Sequence, residues 1–248
     1  MTKTPREREI FKKLFRESAV AWEETANRIL PIFADAADLM AGNSWWLLPQ
    51  FSARHYQTLL EDRAKITAES LTASIINWAN KAGEDRLQRI VAGWSLSAFL
   101  ERKAIFAEAL WAHGQAKYFV SVPPLIAQAE GIVRTSLHVA TKGAQQSYYF
   151  EKVRKEFARK LKTVAKLTKK QKVSTHHIRA VENYHNLAVV ENVFASFNPA
   201  SDPVPKTLNR HAIAHGISTD YGTLEQSTKT ILFLDMLHAL CAQVEETA

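Results

Sequence analysis

The chain has 248 residues, 46% hydrophobic and 23% charged, with a formal net charge of +7, eight glycines, eight prolines and one cysteine. It has the composition of a globular protein with room for a sizeable core. It holds no uncharged apolar run near the roughly 18 residues that cross a bilayer, and the start, MTKTPREREIFKK, lacks the apolar core of a signal peptide. The single cysteine, Cys241, excludes an internal disulfide and reads as a buried thiol, and these features together predict a cytoplasmic protein.

In chain order, Thr4-Pro5-Arg6-Glu7 fits a capping box with proline at the first helical position, opening a helix whose apolar face runs from Ile10 to Ile29 and which Pro31 ends. A short segment to Gly42 and the aromatic loop SWWLLPQF follow. Trp45 and Trp46 are read as core rather than as a stacking platform for bases. Residues 53–81 and 84–112 each read as one long helix or two shorter ones, stopped near Gly83 and Gly114. Ser121-Val122-Pro123 opens a further helix to about His138. A basic helix is next, and Ser174 caps another to about Phe197. NPASDPVPKT is a loop by composition. NRHAIAH makes at most two helical turns, stopped by Gly216. Thr223-Leu224-Glu225-Gln226 starts the last helix, with Ile231, Leu234, Leu237, Leu240 and Val244 as its inner face. With no strand alternation, hairpin signal or repeat, the predicted class is all-α, a helical bundle.

The charge is unevenly spread. Residues 151–172, EKVRKEFARKLKTVAKLTKKQK, hold ten Lys/Arg and two Glu, or +8, so the remainder sums to about −1. Lys152, Lys155, Arg159, Lys162, Lys166 and Lys169 form one helical stripe, with Val153, Phe157, Leu161, Val164 and Leu167 nearly opposite. A solvated face, a nucleic-acid backbone contact and an acidic partner or membrane surface all fit such a stripe. Cations with almost no acidic neighbours are what release of counterions from phosphates requires.

Arg210, His211 and His215 stand within NRHAIAHG. Two histidines four apart share a helix face and fit a zinc pair, but Ala212 stands where a zincin has Glu, and no third ligand is near. A capping or structural role is the second reading. The third is phosphodiester chemistry: arginine offers a fixed fork of donors to phosphate, histidine moves a proton near neutrality, and RNA brings its own 2′-hydroxyl nucleophile, so no metal or other cofactor is required.

The run Arg210-His211-Ala212-Ile213-Ala214-His215 resembles the R-φ-x-x-x-H signature of the HEPN superfamily, and PPLIAQAEGIVR followed by NRHAIAHG and a capped last helix is similar to helical HEPN-like proteins of bacteria and phages. The resemblance covers roughly residues 115–248, leaving 1–114 as an additional helical N-terminal region of unassigned role. It implies a helical bundle that dimerises and, in many members, a metal-independent endoribonuclease of toxin–antitoxin, abortive-infection or RNA-processing systems, with RNA and an antitoxin or regulatory protein as partners. Carried onto this chain, Arg210 would stabilise the scissile phosphate, His215 would be general base or acid, and His211 the polar φ residue that orients the site. Asn209 and Glu130 would support them, and Lys155, Arg159, Lys162 and Lys166 would bind RNA. Some members are inactive, so a non-catalytic helical interaction module is the alternative. The basic stripe has its own test: reversing those four cations to Glu is expected to weaken RNA binding and flatten its salt dependence, by about one unit of slope per lost phosphate contact, in binding titrations over a salt series. An unchanged slope returns the stripe to solvation.

Overall fold

The computed structural model describes residues 28–29, 31–136, 186, 192–195, 203–205 and 208–245. The basic segment with Lys155, Arg159, Lys162 and Lys166, the Thr4–Glu7 box and the helix expected after Ser174 lie outside the described residues, apart from residues 186 and 192–194 of that helix, which are helical. The described residues form helices joined by turns and loops, with no strand among them: α1 (31–42), α2 (Ala53–Glu61), α3 (Ala68–Ala79), α4 (Arg86–Ala92), α5 (Ser97–Leu100), α6 (Lys103–Gly114), α7 (Tyr118–Ser136), α8 (Arg210–Ala214) and α9 (Leu224–Glu245). The all-α class is as expected. The expected boundary at 114/115 falls in the turn joining α6 to α7, and one hydrophobic core takes side chains from both sides of it.

The last helix is the axis of the bundle. α9 packs against α3, α4, α6 and α7, and α7 in turn carries α5, α6 and α8. Ser227 through Leu237 are all buried, so the inner face expected from Ile231, Leu234 and Leu237 is only part of a helix enclosed on every side. Enclosure requires its polar side chains to be satisfied inside the protein. His113 joins Ser227 Oγ through Nδ1 (2.8 Å) and Asn80 Oδ1 through Nε2 (2.9 Å), Asn80 donates to Thr228 Oγ1 (2.9 Å), and Ser121 shares a hydrogen bond with Ser227 (2.9 Å). Burial lowers the pKa of His113. Lys229 sets its ammonium 4.7 Å from the centroid of Trp45 and 3.8 Å from Glu225; burial pushes its pKa down.

The aromatic loop is core. Trp45 and Trp46 are 0% and 3% exposed, and Trp45 donates Nε1–H to Thr72 (2.9 Å). No base can reach them. The backbone of the next two residues is satisfied by side chains: Asn186 accepts the N–H of Leu47 (2.9 Å) and donates to its C=O (3.0 Å), and the Tyr56 hydroxyl accepts the N–H of Leu48 (2.6 Å) and donates to its C=O (3.1 Å).

The helix that Pro31 is expected to end lies, apart from residues 28–29, outside the described residues, and Pro31 is the first residue of the described helical run 31–42. Two helix boundaries differ from the sequence expectation. Residues 84–112 divide into α4, α5 and most of α6 rather than one or two helices. α7 begins at Tyr118 and runs through Pro123 and Pro124. The carbonyls that lose an i+4 donor to these prolines belong to Phe119 and Val120, residues 58% and 61% exposed in the first turn of α7, so the lost bonds fall at the surface and not in the core.

Three helices close in the same way. In α1, α6 and α8 the chain turns left-handed two residues past the end, at Ser44 (φ 59°), Ala116 (φ 56°) and Gly216 (φ 67°). The paired bonds of a Schellman motif form each time, as in Lys117 N–H to Ala112 C=O (2.8 Å) and Ala116 N–H to His113 C=O (3.0 Å). Only α8 has the glycine that this backbone favours. The stop expected at Gly114 thus falls on Ala116, where a Cβ is strained. Ala116→Gly is expected to stabilise the protein by about 1 kcal/mol, read as a higher melting temperature, whereas Gly216→Ala destabilises it by a similar amount.

Candidate functional site

α8 is short but held at both ends. Asn209, in extended conformation, accepts the N–H of Ala212 through Oδ1 (2.9 Å) and donates Nδ2–H to Ala195 C=O (2.9 Å), tying the helix start to residues 192–195. At the other end Ile217 N–H returns to Ala212 C=O (2.9 Å) and Gly216 N–H to Ile213 C=O (3.1 Å). Ala212 and Ile213 are buried, while Arg210 and His211 are half-buried and His215, the C-cap, is exposed. Ala212 and Ile213 therefore anchor the helix, and Arg210, His211 and His215 lie toward the surface around that anchor. Asn209, counted with the site from sequence, is buried and acts on the helix rather than on a ligand.

Arg210 reaches α7, where its Nη2 lies 2.6 Å from Glu130 Oε2, and the other oxygen of Glu130 takes Arg134 Nη2 at 2.8 Å. One carboxylate thus clasps two half-buried guanidiniums. The Nε of Arg210 is buried and has no hydrogen-bond partner. A third guanidinium, of Arg102, lies over Gly131, where a Cβ would stand 2.9 Å from its Nη2, and it donates to Ala98 C=O (2.6 Å). Gly131 is what lets Arg102 approach α7 so closely.

His211 and His215 stack, ring centroids 5.7 Å apart and 18° between planes. Burial, then Arg210, then His215 lower the pKa of His211, and Glu130 partly opposes them. His211 is therefore held in its neutral, proton-accepting form near pH 7. The structure brings Arg210 to Glu130 and His211 to His215; it places no hydrogen bond between Arg210 and His215. Among the described residues no three His, Cys, Asp or Glu side chains gather as a metal site needs. No helix among them is long and apolar enough to cross a membrane.

Sequence reading missed Arg134 and Arg102. The first carries a signal, since Glu130 and Arg134 are four apart on one helix face. The second has none, because its neighbour Gly131 is distant in sequence. No family model, curated protein or solved structure matches the chain.

Glu130→Gln removes the anion between Arg210 and Arg134. With these groups half-buried, the change is expected to cost about 1 to 3 kcal/mol in chemical denaturation. No loss would show the clasp to be screened like an exposed ion pair.

Proposed function

We propose that the chain is a HEPN-like, RNA-directed protein acting as a metal-independent endoribonuclease. The observation that carries this reading is the joint presentation, on one capped helix, of a half-buried arginine and a stacked histidine pair of which one member is held neutral. Transphosphorylation of RNA needs a base to take the 2′-hydroxyl proton, an acid to protonate the leaving 5′-oxygen, and a cation at the phosphate. His211 and His215 are adjacent enough to divide the proton transfers, His215 being the exposed member able to meet the substrate. Arg210, aimed by Glu130, supplies the fork for the phosphate oxygens. The 2′-oxygen bonds to phosphorus as the bond to the 5′-oxygen breaks, leaving a 2′,3′-cyclic phosphate and a 5′-hydroxyl.

The reading includes a homodimer, in which two such helices would face one phosphate and double the positive charge around it. It also includes a place in phage defence or a toxin–antitoxin pair, with a regulatory partner. A second reading, a non-catalytic interaction module, is favoured by the Arg210–Glu130–Arg134 clasp, since an arginine already paired with a carboxylate can be a structural tie.

Purified protein incubated with total RNA in EDTA separates the two. Cleavage to cyclic-phosphate ends is expected to survive the chelator. Arg210→Ala and His215→Ala are each expected to lower its rate by about 10²- to 10⁴-fold without unfolding the bundle, and His211→Ala is to be compared on the same substrate. Wild-type protein that cleaves nothing, with the same substitutions lowering the melting temperature, establishes the structural tie instead.

A further inference from the structure

A concave site lies between α3, α4 and α9, apart from α8. It is a cavity of roughly 460 Å³ lined in part by Gln50, Trp78, Arg89, Trp94, Asp235 and His238, within the size range of sites that enclose a small molecule. Its innermost polar group is Asp235, 4% exposed on the enclosed helix α9. Each carboxylate oxygen accepts one neutral N–H, from Trp94 Nε1 at 3.1 Å and Gln50 Nε2 at 3.2 Å. Neither donor is a cation, and each oxygen keeps a further lone pair. His238 accepts the N–H of Ser95 at Nε2 (3.0 Å), so its ring proton sits on Nδ1 when neutral.

The rim has the opposite character. Arg89 is exposed there and has no acidic partner among the described residues. Arg86 is already engaged, by Glu84 and by the carbonyl of Trp78, with its guanidinium 5.0 Å from the Trp78 ring centroid. The walls include the indoles of Trp78 and Trp94.

An inorganic anion would satisfy Arg89 and leave Asp235 unused, and too small a body would leave most of the volume to water. An apolar ligand would leave the remaining lone pairs of the buried carboxylate unmet. The set is completed by a planar ring that donates N–H at one end and carries an anion at the other. We propose that this cavity binds a nucleoside monophosphate, its base donating to Asp235 and its phosphate pairing with Arg89. The inference stands apart from the ribonuclease reading, because none of its residues belongs to α7 or α8.

Calorimetric titration of the full chain with the four ribonucleoside monophosphates, ribose 5-phosphate and inorganic phosphate tests it. At least one nucleotide is expected to bind, with ribose 5-phosphate about tenfold weaker or more. Arg89→Ala, at an exposed position that does not threaten folding, and Asp235→Asn, checked by its melting curve, are each expected to weaken nucleotide binding about tenfold. Three results overturn the proposal: no binding of any nucleotide at millimolar concentration; ribose 5-phosphate binding as tightly as the nucleotides, which leaves an anion site only; or loss of binding in Arg210→Ala with Arg89→Ala unaffected, which puts the nucleotide at α8.

Discussion

The enclosure of α9 from Ser227 to Leu237 is the constraint from which the rest follows. A helix surrounded by α3, α4, α6 and α7 can hide its aliphatic residues at no polar cost, but Ser227, Thr228, Lys229 and Asp235 lie in the same enclosed stretch. Each fixes something brought from elsewhere in the chain. Ser227 and Thr228 fix His113 and Asn80, hence α6 and the end of α3; Asp235 fixes Trp94 and Gln50. Apolar burial supplies the driving force, while these directional bonds select one register of the neighbouring helices.

That rigidity reaches α8 through α7. The five residues Arg210–Ala214 are far too few to hold a helix in water alone. Asn209, the Schellman bonds at Gly216 and the burial of Ala212 and Ile213 make α8 a fixed part of the surface. Glu130 then sets the direction of Arg210. The arginine is preorganised by a carboxylate that also competes for it, so an incoming phosphate must either share the guanidinium or displace the acid, with Arg134 present to keep Glu130 partnered.

How much of this was legible in the sequence depends on the distance over which each residue acts. Local signals did well. The helical class, the stop at Gly216 and the Thr223 cap, whose Oγ1 accepts the N–H of Gln226 at 3.1 Å, were all readable. The reciprocal half of that box is missing, since Gln226 Oε1 is buried without a partner. Glu130 enters the site reading only as a supporting residue that the resemblance implies, and its ion pair with Arg210 has no signal in the spacing. What stayed hidden was nonlocal. Periodicity assigned α9 one apolar face because Thr228 and Asp235 read as solvent residues, their partners being more than a hundred positions away. The cavity gathers side chains from position 50 to position 238, and no window of sequence contains it. The start of α7 differs for another reason: proline is a good first-turn residue, and nothing local says that a helix already under way will tolerate two of them near an exposed first turn.

Asp235 also sets how folding responds to acid. Burial, only partly offset by the bonds from Trp94 and Gln50, pushes its carboxyl up to about 6 from an ordinary 3.8. The native chain therefore keeps a proton that the unfolded chain has released between those two values, and folding takes up a proton in that window. The sign is opposite to that of a salt-bridged carboxylate: this group's contribution is complete below the unfolded pKa and fades as pH rises through the folded one. Above it the native state carries a buried negative charge at a cost of about 3 kcal/mol, at 1.36 kcal/mol per pKa unit. At neutral pH the bundle thus carries an electrostatic load at its axis, which mild acid relieves.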